Sequence, residues 1–368
     1  MLFLKILVFT VGFIIVILTV SSALSTFVLP RAARSQLNRI VFGLMRRVFE
    51  FILKFMRTYE QRDTVMAYYS PVSLIMLIPV WYLLIMMGYT AMYWAVGVGD
   101  LFTDFRFSGS SLLTLGFASS ENLFVNVLAF SEALLGLLMV ALLMAYLPTM
   151  YAAFSRREQA VNMLEIRAGT PPNSFDMLSR FHRIHGLDKL GDYWKSWEAW
   201  FADVEESHTT LPALVFFRSP RSDNSWITAA GAVLDTAALT LSSIDIPYES
   251  SAALCIRAGF LAMRHIADYF DISYPLDPHY PTTPITIRRE EYDAVIDRLA
   301  EAGLPIKADR EKAWTDFAGW RVNYDRVLLV LCTLVMAPQA PWSSDRAPKY
   351  RHPPLLFVKK KKHKKEPG

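Results

Sequence analysis

The stretch FSGSSLLTLGFAS, residues 107–119, lies between two long apolar runs, and the rest of the chain is arranged around it. It is too short and too polar to span a bilayer, because a spanning helix needs about 20 apolar residues. Its first half, Phe107 to Leu113, has the length of a two-turn helix, and its second half holds a glycine that permits positive φ. Non-helical backbone at membrane depth is tolerated only inside protein or along a water-filled path. The stretch therefore predicts a re-entrant pore loop over residues 107–119.

The second half of this stretch resembles the selectivity filter of the potassium-channel pore family, in its two-helix form with one pore loop per subunit. The family pattern is T-[VIL]-G-[YF]-G-D, and its first four positions are matched by Thr114, Leu115, Gly116 and Phe117. Backbone carbonyls of such a filter replace the hydration shell of the ion. Ala118 and Ser119 depart from the pattern, since they stand where the family has its second glycine and its aspartate. The resemblance covers roughly residues 70 to 155 of the chain.

The resemblance implies a homotetramer, because each chain supplies one quarter of a filter and closed cyclic symmetry completes the ring. It also implies a permeant monovalent cation, K⁺, and no other cofactor. Gly136 and Pro148 are the candidate gating hinges, although Gly136 could simply let two helices approach closely. The candidate supports of the pore helix are Ser110, Ser111 and Glu132, with Glu132 bonded to one of these serines or to another hydroxyl of the pore helix. A glutamate that snorkels to the outer interface is the alternative.

The apolar runs on either side predict an outer helix over 70–97 and an inner helix over 122–153. A third apolar run near the N-terminus predicts a membrane anchor over residues 1–30, with a cleaved signal peptide as the alternative. Residues 31–62 hold eight Arg or Lys against Glu50 and Glu60. Such an excess belongs on the cytoplasmic side. The sequence therefore favours a retained anchor with its N-terminus outside.

The basic segment, residues 31–69, interleaves cations with large apolar side chains over 38–57. A helix of this kind lies in the membrane interface or packs on a soluble domain, and the sequence leaves both interpretations open.

From residue 155 to 345 the pattern is typical of an all-α cytosolic domain. Helices are predicted over 174–185, 189–206, 224–241, 249–270, 286–303 and 308–335, and the inner helix continues to Gly169, where two prolines follow. Ala213 to Phe217 is the one strand-like run. The tail, 346–368, ends in a lysine-rich run over 359–365, for which the sequence leaves two interpretations open: a solvated, disordered terminus or a segment that binds anionic lipid of the inner leaflet.

Charge and motifs exclude two classes of function. The net charge is +4, but the last ten residues carry six lysines and one glutamate, so the remainder is about −1 and indicates no nucleic-acid partner. No P-loop, nucleophile elbow or G-x-G-x-x-G occurs, which leaves a membrane-anchored enzyme without support.

The sequence thus predicts an all-α membrane protein with three transmembrane helices and a re-entrant pore loop, followed by an all-α cytosolic domain. The preferred function is that of a tetrameric, potassium-channel-like cation channel of the plasma or inner membrane. The alternative is a non-conducting sensor or scaffold on a channel-like fold, whose cytosolic domain binds a partner or ligand.

Overall fold

A computed structural model describes residues 1–27 and 35–346, and within these ranges the chain is built of α-helices without a β-strand. Three helical stretches are long and apolar enough to cross a membrane: Leu2–Phe27, Tyr59–Val96 and Leu123–Ala168. The prediction of an all-α chain is confirmed for these residues, and so is that of three helices long and apolar enough to span. The lysine-rich run at 359–365 lies outside the described residues.

The basic segment forms two helices rather than one. Helix α1 is Leu2–Phe27, α2 is Gln36–Leu53, α3 is Tyr59–Ala67 and α4 is Tyr69–Val96. The prediction of one helix over 38–57 is wrong at its end, because Thr58 and Gln61 form a capping box that begins α3. Helix α2 packs one face on α4, and the Tyr69 hydroxyl donates to the Phe42 carbonyl at 3.2 Å.

Helices α1 and α4 cross in direct backbone contact. A Cβ atom added at Gly12 would lie 2.5 Å from the Gly88 carbonyl oxygen, and one at Gly88 would lie 2.8 Å from that of Gly12. Small residues at such a crossing let two membrane helices approach closely. The two helices are antiparallel, since Lys5 lies beside Gly97 while Phe27 packs on Trp81.

Helix α5, Leu101–Leu112, follows α4 after a short turn. The predicted helix start at 107 is wrong, because Asp100 caps the helix six residues earlier by accepting a hydrogen bond from the Thr103 N–H at 2.9 Å. Helix α6, Leu123–Ala168, has 46 residues and runs without a break through Gly136 and Pro148. The predicted continuation of this helix to Gly169 is confirmed.

A helical domain follows α6. Its helices are α7 Ser174–Arg183, α8 Leu190–Thr210, α9 Trp226–Ser242, α10 Ser250–Tyr269, α11 Arg289–Glu301, α12 Arg310–Arg321 and α13 Asp325–Leu334. The helix predicted over 308–335 is therefore two helices. The one strand-like run, Ala213–Phe217, is not a strand, because Pro212–Phe216 is a 3-10 helix with its proline in the first turn. Helix α9 is the centre of the domain, and all 17 of its residues are buried.

One buried ionic cluster ties α9 to the last helices of the domain. The Arg321 guanidinium donates to Asp235 at 2.5 Å and to Asp325 at 2.8 Å, and the Tyr324 hydroxyl donates to Asp235 at 2.8 Å. Buried charges need such partners, because an unpaired ion in a protein core is strongly destabilising. The cluster fixes the register of α9 against α12 and α13.

The 3-10 helix at 212–216 forms the joint between the spanning helices and the domain. The Ser70 hydroxyl of α4 donates to the Ala213 carbonyl at 2.8 Å. On α6, the fully buried Arg157 donates to the carbonyls of Leu214 and Phe217 at 2.9 and 2.7 Å. Both helices are thus bonded to the same short segment.

His208 of α8 completes this joint. Its Nε2 lies 3.1 Å from the Arg157 guanidinium, and its Nδ1 lies 3.0 Å from the Ser207 hydroxyl. Arginine has donors only, so Nε2 accepts and Nδ1 carries the proton of a neutral ring. Burial, and then the charge of Arg157, lower the pKa of His208 well below its usual 6.5.

We expect this histidine to make the folded state sensitive to acid. Because the folded-state pKa of His208 is depressed, the stability it contributes is complete above about pH 6.5 and is lost as the pH falls toward the folded-state value. The free energy of unfolding should fall by up to about 1.4 kcal/mol per pH unit in that window. Thermal unfolding of the wild type and His208→Gln between about pH 5 and pH 8 measures the difference, since every other titrating group is shared. Parallel curves for the two proteins would contradict the assignment.

Candidate functional site

The carboxyl end of α5 is held deep between α4 and α6. A Cβ atom added at Gly136 would lie only 2.1 Å from the Leu112 carbonyl oxygen, and the Tyr82 hydroxyl of α4 donates to the Gly136 carbonyl at 2.6 Å. Gly136 is 13 residues after Leu123, the start of α6. At 1.5 Å per residue, α5 therefore ends about 20 Å along α6 from its start. Tyr82 lies a similar distance from the end of α4.

A ten-residue segment, 113–122 (the return loop), leads back from this depth to the start of α6. An extended chain rises up to about 3.3 Å per residue, so ten residues are enough to cover about 20 Å. The Ser110 carbonyl accepts the N–H groups of Leu115 and Gly116 at 2.9 and 3.2 Å, and the Ser110 hydroxyl accepts that of Ala118 at 3.0 Å. Ser110 thus anchors the loop.

The backbone of the return loop twice enters the left-handed region, at Thr114 with φ 55° and at Gly116 with φ 70°. Glycine adopts this conformation freely. Thr114 is β-branched and is strained there, at a cost of about 1–3 kcal/mol. Strain of this kind persists where the surrounding structure imposes it, and it clusters at functional sites.

The filter-like residues are exposed in the single chain. Leu115 and Phe117 have 61% and 58% of their surface accessible, and Thr114 and Gly116 are exposed as well. Ala118 is half-buried, and the Arg106 guanidinium lies 5.7 Å from the centre of the Phe117 ring. The loop thus exposes the two large apolar side chains of Leu115 and Phe117, while three of its backbone N–H groups are bonded to Ser110.

Glu132 of α6 is completely buried behind α5. Its carboxylate accepts a hydrogen bond from the Tyr93 hydroxyl of α4 at 2.9 Å and another from the Ser108 hydroxyl of α5. The structure therefore joins Glu132 to a hydroxyl of α5, but this hydroxyl belongs to Ser108 and not to Ser110 or Ser111. The Ser111 hydroxyl donates to the Phe107 carbonyl within α5 at 3.1 Å.

The two hinge candidates occupy different surroundings. Gly136 is buried at the contact with α5, where its missing side chain allows the close approach, and Pro148 is exposed on α6. The α-helix continues through both, so hinge motion at either residue stays a prediction.

Asp100 and Ser108 make contacts around α5 that sequence reasoning did not assign to them. The role of Asp100 could have been predicted from the sequence, because an aspartate three residues before a helical N–H is a common N-cap. The role of Ser108 could not, because its bond to Glu132 joins residues 24 positions apart.

Compared with family models, curated proteins and solved structures, the chain shows no significant match to any of them.

Substitution of Gly136 tests the close contact with α5. In Gly136→Ala the new methyl group meets the Leu112 carbonyl, which is backbone and cannot rotate away. We expect α5 to be displaced and the free energy of unfolding to fall by about 1–3 kcal/mol, as in overpacked cores. Thermal unfolding in detergent measures the loss.

Gly109→Ala is the matched control on α5. A Cβ atom there meets only the Met86 sulfur at 3.5 Å, which is ordinary contact, so this variant should unfold like the wild type. Equal unfolding of both variants would contradict the close contact.

Proposed function

We propose that this protein is a homotetrameric, potassium-channel-like cation channel, in which four return loops form one selectivity filter. The observation that carries the proposal is the depth of the loop. Its Thr114-Leu115-Gly116-Phe117 segment begins at the end of α5, about 20 Å along two helices that are long enough to span a bilayer. The hydrocarbon core is about 30 Å thick. The segment would then lie within it.

Exposure of the loop at that depth supports an assembly. Irregular backbone in the hydrocarbon region must be buried in protein or line a water-filled path, and the single chain does neither for residues 114–117. Further copies of the chain around a shared axis supply the missing walls. The carboxyl end of α5 would point toward this axis, and the partial negative charge of a helix C-terminus favours a cation there.

The face of α6 turned away from its own chain supports the same assembly. Its exposed positions recur at alternating spacings of three and four, the period of helices that pack in bundles: Val127, Phe130, Leu134, Leu137, Ala141 and Met144. In the proposed tetramer this face lines the central path and contacts neighbouring copies.

Helix α2 supports the proposed orientation, with the N-terminus outside and the helical domain in the cytoplasm. It is bonded to the C-terminal end of α1 and to the N-terminal end of α4. The Asn38 amide donates to the Thr26 hydroxyl at 2.6 Å, and the Phe42 carbonyl accepts a hydrogen bond from the Tyr69 hydroxyl. The outer face of α2 and the two residues after its end are exposed and combine large apolar residues with cations: Ile40, Leu44, Val48, Phe51, Phe55, Arg47 and Lys54. Such a face suits an interface with anionic lipid on the cytoplasmic side, in the plasma or inner membrane.

A non-conducting sensor or scaffold is the second candidate, and the bonding of Ser110 favours it. Three N–H groups of the return loop converge on this one residue, so the loop is folded against α5. Ala118 and Ser119 also replace the residues that complete the family pattern. In this second function the loop is structural and the helical domain binds a partner or ligand.

Assembly is tested by cross-linking. Purified protein in mild detergent should give a ladder that ends at four chains. Leu137→Cys should form disulfide-linked dimers, because Leu137 faces the shared axis. Leu18→Cys is the control, since Leu18 is as exposed as Leu137, at 65% against 63%, but lies on α1. Monomers alone, or equal cross-linking at both positions, would refute the proposed tetramer.

Conduction and selectivity are tested by ion flux and reversal potentials in liposomes. The wild type should pass K⁺ with weak discrimination against Na⁺, because alanine at 118 resists the backbone orientation that glycine reaches freely. Ala118→Gly, alone or with Ser119→Asp, should sharpen the preference for K⁺.

Ala129→Gly on α6 is the control substitution and should leave selectivity as in the wild type. If the wild type already selects K⁺ as strongly as Ala118→Gly, the role given to Ala118 is wrong. If no variant passes a cation, the non-conducting function replaces the channel.

A further inference from the structure

An apolar groove lies on the outside of the membrane helices, between α1, α4 and α5. It has a volume of about 220 Å³, and its walls include Val8, Met87, Ala91, Leu101 and Phe105. The hydroxyl of Thr90, which also lines the groove, donates to the Met86 carbonyl at 2.7 Å within α4. The wall is therefore apolar along most of its length, and the indole of Trp94 stands at one end.

A single cation stands above the Trp94 end of the groove. Lys5 is the only charged residue of α1, and it precedes the groove residue Val8 by one helical turn. Its ammonium lies 3.5 Å from the point where a Cβ atom of Gly97 would be, one turn beyond Trp94 on α4. Among residues 1–27 and 35–346, no carboxylate forms an ion pair with Lys5.

The groove is continuous with the surface that α1 turns outward. Leu4 and Leu7, on the same turns of α1 as Lys5 and Val8, have 46% and 50% of their surface accessible. In a membrane such side chains contact lipid. A lone cation in an apolar helix is costly at membrane depth and is stable where an anion or the interface meets it.

We propose that this groove binds an anionic phospholipid, with its phosphate on the Lys5 ammonium and one acyl chain along Val8, Ala91 and Met87. The order of the groups fits an amphiphile, because the cation, the indole and the apolar wall follow one another down the groove. Indole rings prefer the headgroup level of the bilayer. The inference requires that α1 and α4 lie in a bilayer, and it does not require that ions pass.

The test is native mass spectrometry of the full chain in detergent, titrated with phosphatidylglycerol and with phosphatidylcholine of the same acyl chains. The wild type should retain phosphatidylglycerol at the lower concentration. Lys5→Gln should weaken retention of phosphatidylglycerol about fivefold, the effect of one lysine at an anionic surface, and leave phosphatidylcholine unchanged. Val8→Phe fills the groove and should weaken retention of both lipids.

Val11→Phe is the matched control, since Val11 is an exposed valine of α1 outside the groove. It should bind both lipids like the wild type. Equal retention by Lys5→Gln and the wild type, or by both phenylalanine variants, overturns the site. If Val8→Phe loses the tetramer but retains both lipids like the wild type, the groove is instead a contact site for a neighbouring copy of the chain. Because the readout is bound lipid, a protein that fails to conduct leaves this test intact.

Discussion

A buried carboxylate holds helices α4, α5 and α6 together. Glu132 has no exposed surface, and its two hydroxyl partners, Tyr93 and Ser108, belong to the helices before and after the turn at residues 97–100. A buried hydroxyl or carboxylate that loses its partner costs about 1–3 kcal/mol, so each member of the trio is retained by the other two. These two hydrogen bonds to Glu132 fix the angle of α5 against α4 and α6. The contact of Leu112 with Gly136, one turn along α6, then fixes its depth.

The return loop depends on this arrangement twice. Its starting point is set by α5, and its shape is set by Ser110, whose carbonyl and hydroxyl take three backbone N–H groups. The strained Thr114 and the permissive Gly116 then turn the backbone outward. At the other end of the spanning helices, Arg157 and Ser70 bond to the same 3-10 segment, so that α4, α6 and the helical domain cannot move independently there.

The sequence was most informative where apolar residues recur with helical period. That signal located the three spanning stretches and the boundaries of α7, α10 and α11 to within a few residues. The length of the apolar run could not decide the secondary structure at Ala213 to Phe217. Five apolar residues fit a strand or a 3-10 turn equally well, and Pro212 in the first turn decided the outcome. The capping box at Thr58 and the cap at Asp100 are local patterns, so both helix starts can be predicted from the sequence. The sequence predicted a bond from Glu132 to a hydroxyl of the helix before the loop, but it did not identify Ser108 or Tyr93, because contacts between distant positions leave no spacing rule.

Helix α9 has a consequence for how the chain is made. It is buried on every side, and two of the helices that cover it, α12 and α13, are synthesised last. While the ribosome is still producing residues 243–309, this apolar helix is only partly covered by other helices. In composition it resembles a membrane segment. The helices that are long and apolar enough to cross a membrane precede α9 in the chain, so they are already complete while this most apolar helix of the domain is uncovered. Its 17 residues are fewer than the ~20 that a span requires, which leaves the helix available for the core that closes around it.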